Sequence, residues 1–296
     1  LYPQYFQVVA LSDAKVNSFA DLKGKSVVTQ PKGNSGALLP ALVLKLRARL
    51  LGRRLLVVQK SFHLVPPERR LSYLAQRLSL WLTRLFVDGY ITCSEHSRDL
   101  LIGTGIPAAR VALNPLGLNL EAARAAPRAP AHYEGVYLGR IKVSKGVLDL
   151  VPIWSRVRER LPQARLALIG SGDADTRRQL EAQVAAAGLS EHLHLLGFLP
   201  DEAAFGLVKA ADLFLFPSPE EGFGIALGEA MACGTAVVAY DLPAYRGTFS
   251  RAMQAVPCFD RAAFGDSIVR LLGEPAARAE LAQRGRALTE TMTWEA

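Results

Sequence analysis

Residues 211–240 constrain the fold more tightly than any other stretch of this chain. An apolar run, Ala211-Asp212-Leu213-Phe214-Leu215-Phe216, leads through Pro217-Ser218-Pro219-Glu220 into Glu221-Gly222-Phe223-Gly224. Ile225-Ala226-Leu227-Gly228-Glu229-Ala230-Met231-Ala232-Cys233-Gly234 follows. A short apolar run, rich in aromatics and bounded by turn residues, predicts a buried strand of a parallel sheet. Ile225 to Cys233 is a good helix former, stopped by Gly234 at a C-cap position. The pattern is strand, glycine-rich loop, helix. It leaves the backbone N–H groups of Gly222, Phe223, Gly224, Ile225 and Ala226 at a helix N-terminus, which suits an anionic phosphate. Glu221 precedes the helix and Glu229 lies within it. Taken alone, they read as an N-terminal dipole partner and a solvated helix residue.

The stretch resembles the Glu-x7-Glu signature of family 4 glycosyltransferases, and the resemblance runs on through the next strand, Ala236-Val237-Val238-Ala239-Tyr240. It implies an α/β chain with the GT-B-like fold, two Rossmann-like domains of which the N-terminal one is incomplete or atypical. It also implies transfer of a sugar from a nucleotide-sugar donor with retention of anomeric configuration. The resemblance covers roughly residues 50–296.

At 296 residues, two domains are expected, each able to bury its own core. Half the residues are hydrophobic, which excludes a disordered chain. Cys93, Cys233 and Cys258 are far apart with no CxxC, so neither a disulfide framework nor a zinc site is suggested, and a reducing cytosol fits. The chain begins at Leu1, as a fragment would, and opens without the features of a signal peptide. From Lys45 to Arg128 fourteen basic residues face five acids, an excess of nine in a chain of net charge +8. A basic half points to an anionic membrane surface or to nucleic acid. No nucleic-acid motif or stacking platform accompanies it, so the expectation is a cytoplasmic protein in peripheral contact with the inner face of a membrane, with a merely solvated face as the other reading. The most apolar segment, Leu71 to Val87, carries Arg77 and Arg84 and is too short and too charged to span a bilayer.

The expected division is an atypical segment over 1–45, a partial acceptor-side domain over 46–128, and a nucleotide-sugar-binding domain over 129–296. In the first segment, Tyr5 to Leu11 and Ser26 to Gln30 read as strands, and Pro31-Lys32-Gly33-Asn34-Ser35-Gly36 as a glycine-rich loop before a helix. Residues 12–37 resemble the ligand-binding opening of TAXI-type periplasmic solute-binding proteins. Arg54 to Gln59 and Gly89 to Cys93 read as strands of the second domain, with Ser94 capping the helix that follows. Two histidines, His63 and His96, follow these strands, and the glycosyltransferase resemblance implies one such residue near the cleft. His63 is the one assigned to it. Asn114-Pro115-Leu116-Gly117 stands where the family has Pro-Asn-Gly.

In the third domain, Tyr133 to Leu138 is a strand, and Gly139-Arg140-Ile141-Lys142-Val143-Ser144-Lys145-Gly146 is a loop with cations suited to a diphosphate. The resemblance assigns Gly139, Arg140 and Lys145 to the donor phosphates, and Gly170 and Gly172 to the loop after the next strand. It gives Phe198 a contact with the base, Glu229 the ribose, and Glu221 the transferred sugar. Asp173-Ala174-Asp175 spells a metal-binding DxD, but it sits at a helix start, where Asp is a cap, so no metal and no cofactor are expected beyond the nucleotide-diphosphate sugar itself. Asp201 is expected to cap the helix ending near Ala210.

The reading is a metal-independent, retaining glycosyltransferase acting on an unidentified glycan or lipid-linked acceptor. Its rival is a truncated or fused protein that binds a nucleotide or nucleotide-sugar without turnover, and a solute-binding protein is a third reading that rests on residues 12–37 alone.

Overall fold

The computed structural model describes residues 6–11, 28–31, 55–59, 89–114, 116–290 and 292, the first three segments as backbone alone. His63, the helix expected over 71–87 and the glycine-rich loop from Lys32 lie outside the described residues. The chain forms two compact units, Leu1–Pro115 and Leu116–Ala296, each built on one sheet.

The first unit's sheet has the order β2-β1-β3-β4-β5, with β1 over Phe6–Leu11, β2 over Val28–Pro31, β3 over Leu55–Gln59, β4 over Gly89–Thr92 and β5 over Val111–Leu113. β3, β4 and β5 run parallel, while β1 pairs antiparallel with both β2 and β3. Helix α1 (Glu95–Gly103) follows β4, and the Ser94 hydroxyl accepts from the Ser97 amide at 3.2 Å, the N-cap expected from the sequence. Leu101 of α1 packs with Tyr90, Ile106 and Val111 in a small core.

Two expected boundaries differ from this arrangement. β1 and β2, which fall within the expected 1–45 segment, join the sheet of β3–β5. The division falls at 115/116 rather than 128/129, because helix α2 (Leu120–Ala125) packs on two helices of the second unit.

The second unit's sheet consists of β6 (Gly135–Leu138), β7 (Leu166–Ile169), β8 (Leu193–Gly197), β9 (Leu213–Phe216), β10 (Ala236–Tyr240) and β11 (Gln254–Val256). Every pairing is parallel, and the order is β11-β10-β9-β6-β7-β8. Near-continuous apolar sequences such as LALI, LFLF and AVVAY, buried at every position, are what a sheet covered on both faces requires. Helices α3 (Leu150–Arg160), α4 (Ala174–Ala186), α5 (Asp201–Ala210), α6 (Ile225–Ala232), α7 (Arg261–Gly273) and α8 (Pro275–Thr289) connect and flank these strands.

The chain moves outward from β6 to β7 and β8, then returns to β9 and moves outward the other way. Right-handed crossovers therefore place α3 and α4 on one face and α5 and α6 on the other, and α7, which follows the edge strand β11, returns to the face of α3. Accordingly α3 packs on α4 and α7, while α2 packs on α5 and α6, and α6 on α8. The direction of winding reverses between β6 and β9. In an open parallel sheet, that reversal opens a crevice at the carboxyl ends of the two strands.

Asp149 ties three elements together at that end of the sheet. Its buried carboxylate accepts from the Tyr240 hydroxyl at the end of β10 (2.8 Å) and from Arg261 Nε at the start of α7 (2.9 Å), while the chain at Asp149 itself opens α3. Among the described residues, no helix is long and apolar enough to cross a membrane.

Candidate functional site

The loops leaving β6, β7, β8 and β9 converge on the crevice. Backbone hydrogen bonds carry the parallel pairing past the strand ends: the Gly139 amide donates to Ile169 O (3.0 Å), Ile141 to Ser171 O (2.9 Å) and Gly170 to Gly197 O (2.7 Å). Ile141 also bridges to Gly172. The loops approach so closely that a Cβ on Gly170 would lie 1.8 Å from Gly139 O. The two glycines of the β7 loop therefore have a packing role as well as the donor role implied by the sequence. A side chain at Gly170 would push the β6 loop out of the crevice.

The β6 loop closes with a short 3-10 turn, Val143–Lys145, and Gly146 in a left-handed conformation. Its Cβ position lies 1.7 Å from Pro217 O, on the loop leaving β9. The two loops that flank the winding reversal are thus in backbone contact. Across that contact, Lys145 Nζ is ion-paired with Glu221 Oε1. The side chains are 13% and 5% exposed, so the pair is largely withdrawn from solvent, where removing one partner costs far more than the pair contributes. The Ser218 hydroxyl donates to Glu220 O (3.1 Å) and steadies the approach to Glu221.

Helix α6 begins at Ile225 behind Gly224, a left-handed N-cap that offers no side-chain acceptor. The first amides of the helix, at Ile225 and Ala226, have no acceptor within the helix itself, and the positive end of its dipole is aimed at the same crevice. Phe223 turns its ring inward, edge-on to Phe249 at 5.4 Å between centroids. Of the expected donor-binding run, Phe223 can therefore serve a ligand only through its backbone. Glu229 is 4% exposed, so it is not the solvated helix residue that one reading of the sequence made it.

Arg140 is exposed at the outer lip of the β6 loop. Phe198, directly after β8, is 58% exposed, an unusual position for an aromatic ring beside a crevice. His96 lies partly buried in the first turn of α1, in the first unit. Asp173 caps α4, accepting from the Thr176 amide (2.8 Å) and hydroxyl (3.0 Å), and Asp175 is paired with Arg178. These hydrogen bonds hold the Asp173 carboxyl below its usual range, the condition of a committed cap. Asp201 differs from expectation. It is the first residue of α5, Pro200 holds the N-cap position, and no side chain caps the helix.

One residue of the site was not anticipated. Tyr137, in β6, is fully buried and donates its hydroxyl to Arg140 O at 2.8 Å. The available signal was a phenol in an otherwise aliphatic strand, Val136-Tyr137-Leu138, since a buried hydroxyl needs an acceptor. Beside the 143–146 turn, a pocket of about 360 Å³ is lined by Val143, Gly146, Asp149, Pro219, Phe259 and Arg261, among others. None of the residues assigned to a donor line it.

Chemically, these elements offer two cations, helix N-terminal amides and two buried carboxylates, Glu221 on the loop before α6 and Glu229 within it. That set can bind an anion and orient a polyol beside it.

The family model described as glycosyl transferases group 1 matches residues 126–288. A phosphatidyl-myo-inositol mannosyltransferase of Mycobacterium leprae is 32% identical over 188 residues, covering 61% of this chain and 49% of that protein. A GDP-mannose:cellobiosyl-diphosphopolyprenol alpha-mannosyltransferase of Xanthomonas campestris is 29% identical over 181 residues, covering 59% of this chain and 47% of that protein. The chain thus spans about half the length of these curated relatives. Among solved structures, Anabaena HepE in complex with UDP superimposes with a TM-score of 0.74 at 21% identity, over 88% of this chain and 74% of that one. Sucrose-phosphate synthase from Thermosynechococcus elongatus does so with a TM-score of 0.63 at 27% identity, over 74% and 58%.

Proposed function

The chain belongs to the glycosyl transferases group 1 family and has its GT-B-like α/β fold, and from that premise we propose that it transfers a sugar, with retention of configuration and without a metal ion, from a nucleotide-diphosphate sugar to a glycan or lipid-linked acceptor. The observation that carries the reading is the Lys145–Glu221 pair beside the N-terminus of α6, a cation for the diphosphate held against a carboxylate for the sugar. Two relatives named for lipid-linked acceptors support that acceptor class.

In this reading, the diphosphate lies between Arg140, Lys145 and the first amides of α6. As the bond from sugar to phosphate breaks, negative charge grows on the departing oxygen. Fixed donors aimed at that charge stabilise the transition state more than the ground state. Glu229 accepts from ribose hydroxyls, and Glu221 from hydroxyls of the transferred sugar. Lys145 and Glu221 are ion-paired, so a diphosphate competes for the ammonium and leaves Glu221 for the sugar. No side chain is assigned as a nucleophile. The leaving phosphate takes the acceptor's proton on the same face.

Arg140→Ala and Lys145→Ala should each remove a charge-assisted contact of about 1.5–3 kcal/mol. By isothermal titration, nucleoside diphosphate affinity should fall roughly ten- to a hundredfold, with nucleoside affinity hardly changed. Equal losses for both ligands would remove the phosphate assignment. The variants differ in a second respect: Lys145→Ala strands the buried Glu221 carboxylate and should also lower thermal stability, whereas exposed Arg140→Ala should not. Sugar-nucleotide hydrolysis measured alongside separates an enzyme from a protein that only binds nucleotide.

The excess of nine positive charges over residues 45–128 supports a site of action at an anionic membrane face in the cytoplasm. The protein should sediment with vesicles containing anionic phospholipid, stay in solution with neutral ones, and be released by high salt. Binding to neutral vesicles equally well, or to none, would leave the charge as a solvated surface.

A further inference from the structure

We propose that Tyr137 is a positioning residue for donor binding, its hydroxyl holding the Arg140 turn in the shape that presents the loop to the diphosphate. The inference rests on the donor site described above and adds to it a residue that touches no ligand.

Three observations converge on this hydroxyl. It donates to the carbonyl of Arg140, three residues on, and so spans the tight turn by which β6 leaves the sheet. It also fills the space beneath that turn, since a Cβ on Gly139 would lie 2.8 Å from it. The ring that carries it is fixed in turn, stacked on Phe216 of β9 with centroids 6.2 Å apart and planes 18° apart. Tyr137 thus connects the two strands at the winding reversal and reaches up to the backbone of the loop that bears both donor cations.

The electrostatic surroundings suit a permanent donor. Burial raises the ionisation of the phenol far above its ordinary range, the Glu221 carboxylate adds to that, and Arg140 opposes it. The hydroxyl stays protonated at any physiological pH, and with its proton directed to Arg140 O it keeps that carbonyl oriented. A peptide group held on its carbonyl side cannot rotate, so the amides and side chains on either side keep their direction. Without the bond, the turn loses the contact that spans it from within, while the Gly139 and Ile141 amides still hold its two ends to the β7 loop.

Tyr137→Phe keeps the stacked ring and removes one oxygen. Its nucleoside diphosphate Kd should rise about three- to tenfold, its nucleoside Kd should stay at the wild-type value, and its melting temperature should change little. In turnover assays, the loss should appear mainly in the donor's KM, with kcat less affected. Tyr137→Leu, which removes the ring as well, should lose stability in addition.

A residue that only packs gives another pattern: Tyr137→Phe binds diphosphate like wild type, and only Tyr137→Leu is impaired. That pattern overturns the proposal, as does a Tyr137→Phe protein that loses both ligands equally or fails to fold. Wild-type protein that does not prefer the diphosphate to the nucleoside would overturn the donor-site reading and this inference together. A wild-type preference retained in full by Tyr137→Phe overturns this inference alone.

Discussion

Glu221→Gln should leave nucleoside diphosphate binding near its wild-type strength while removing most of the turnover, about a hundredfold or more in kcat. Glu221 lies at the edge of the glycine-rich loop and is paired with Lys145. The amide of glutamine fills the same space but cannot neutralise the ammonium. Lys145 then meets the diphosphate without a competitor, so that affinity should be unchanged or slightly higher. The intact donor should bind only modestly worse, because the lost contact matters most where the sugar carries developing charge. Glu229→Gln should behave differently. In the second turn of α6 it serves any ligand carrying the nucleoside, so diphosphate and donor should weaken alike. Isothermal titration of both variants with both ligands, followed by turnover, decides between them. If Glu221→Gln loses the diphosphate as severely as Glu229→Gln does, the division of roles is wrong.

Gly146→Ala should cost about 3 kcal/mol or more of stability and abolish measurable donor binding. Two effects combine there. The residue sits at φ +69°, where any side chain costs roughly 1–2 kcal/mol, and its Cβ would stand 1.7 Å from Pro217 O, a backbone atom that no rotamer change can move aside. The loops carrying Lys145 and Glu221 would have to separate. Gly188→Ala is the control: φ is +66° and nothing lies within 4 Å of the added carbon, so only the conformational cost remains. In a domain of this size each kcal/mol is about 2–4 °C of melting temperature, so the two variants should melt at clearly different temperatures. Equal melting temperatures would mean the loop contact yields without cost.

These two positions also illustrate what the sequence discloses. The carboxyl-side strands were legible because a parallel sheet covered on both faces must be apolar throughout and must end at turn residues, as Leu213–Phe216 and Ala236–Tyr240 do. The glycines were legible as a pattern but not as a cause. Nothing along the chain says that the room for a side chain at Gly146 is taken by Pro217, or that at Gly170 by Gly139. Tyr137 and the Asp149–Tyr240–Arg261 cluster were missed for the same reason, since each partner lies on another element or across a turn. Asp201 was misjudged because an Asp at a helix start serves the first turn as well as the cap, and only the backbone of Pro200 distinguishes them. In the first unit four strands were read, but not the three-residue β5 at Val111–Leu113 nor the antiparallel placement of β1 between β2 and β3, because pairing depends on the partner strand and not on the strand's own residues.

The place of β6 in its sheet has a consequence for how the protein is made. One of its neighbours, β7, follows closely in the chain, but the other, β9, arrives only after β7, β8 and their helices. Lys145 and Glu221 are accordingly 76 positions apart. Closing so long a loop is entropically costly and gives no return until the strands dock, which slows folding. As the chain leaves the ribosome, β6 waits with one edge unpaired, and the seam through the middle of the sheet closes only once β9 has emerged. The nucleotide affinity proposed for this protein should therefore be a late-appearing property, marking molecules that have completed folding rather than those that have merely collapsed.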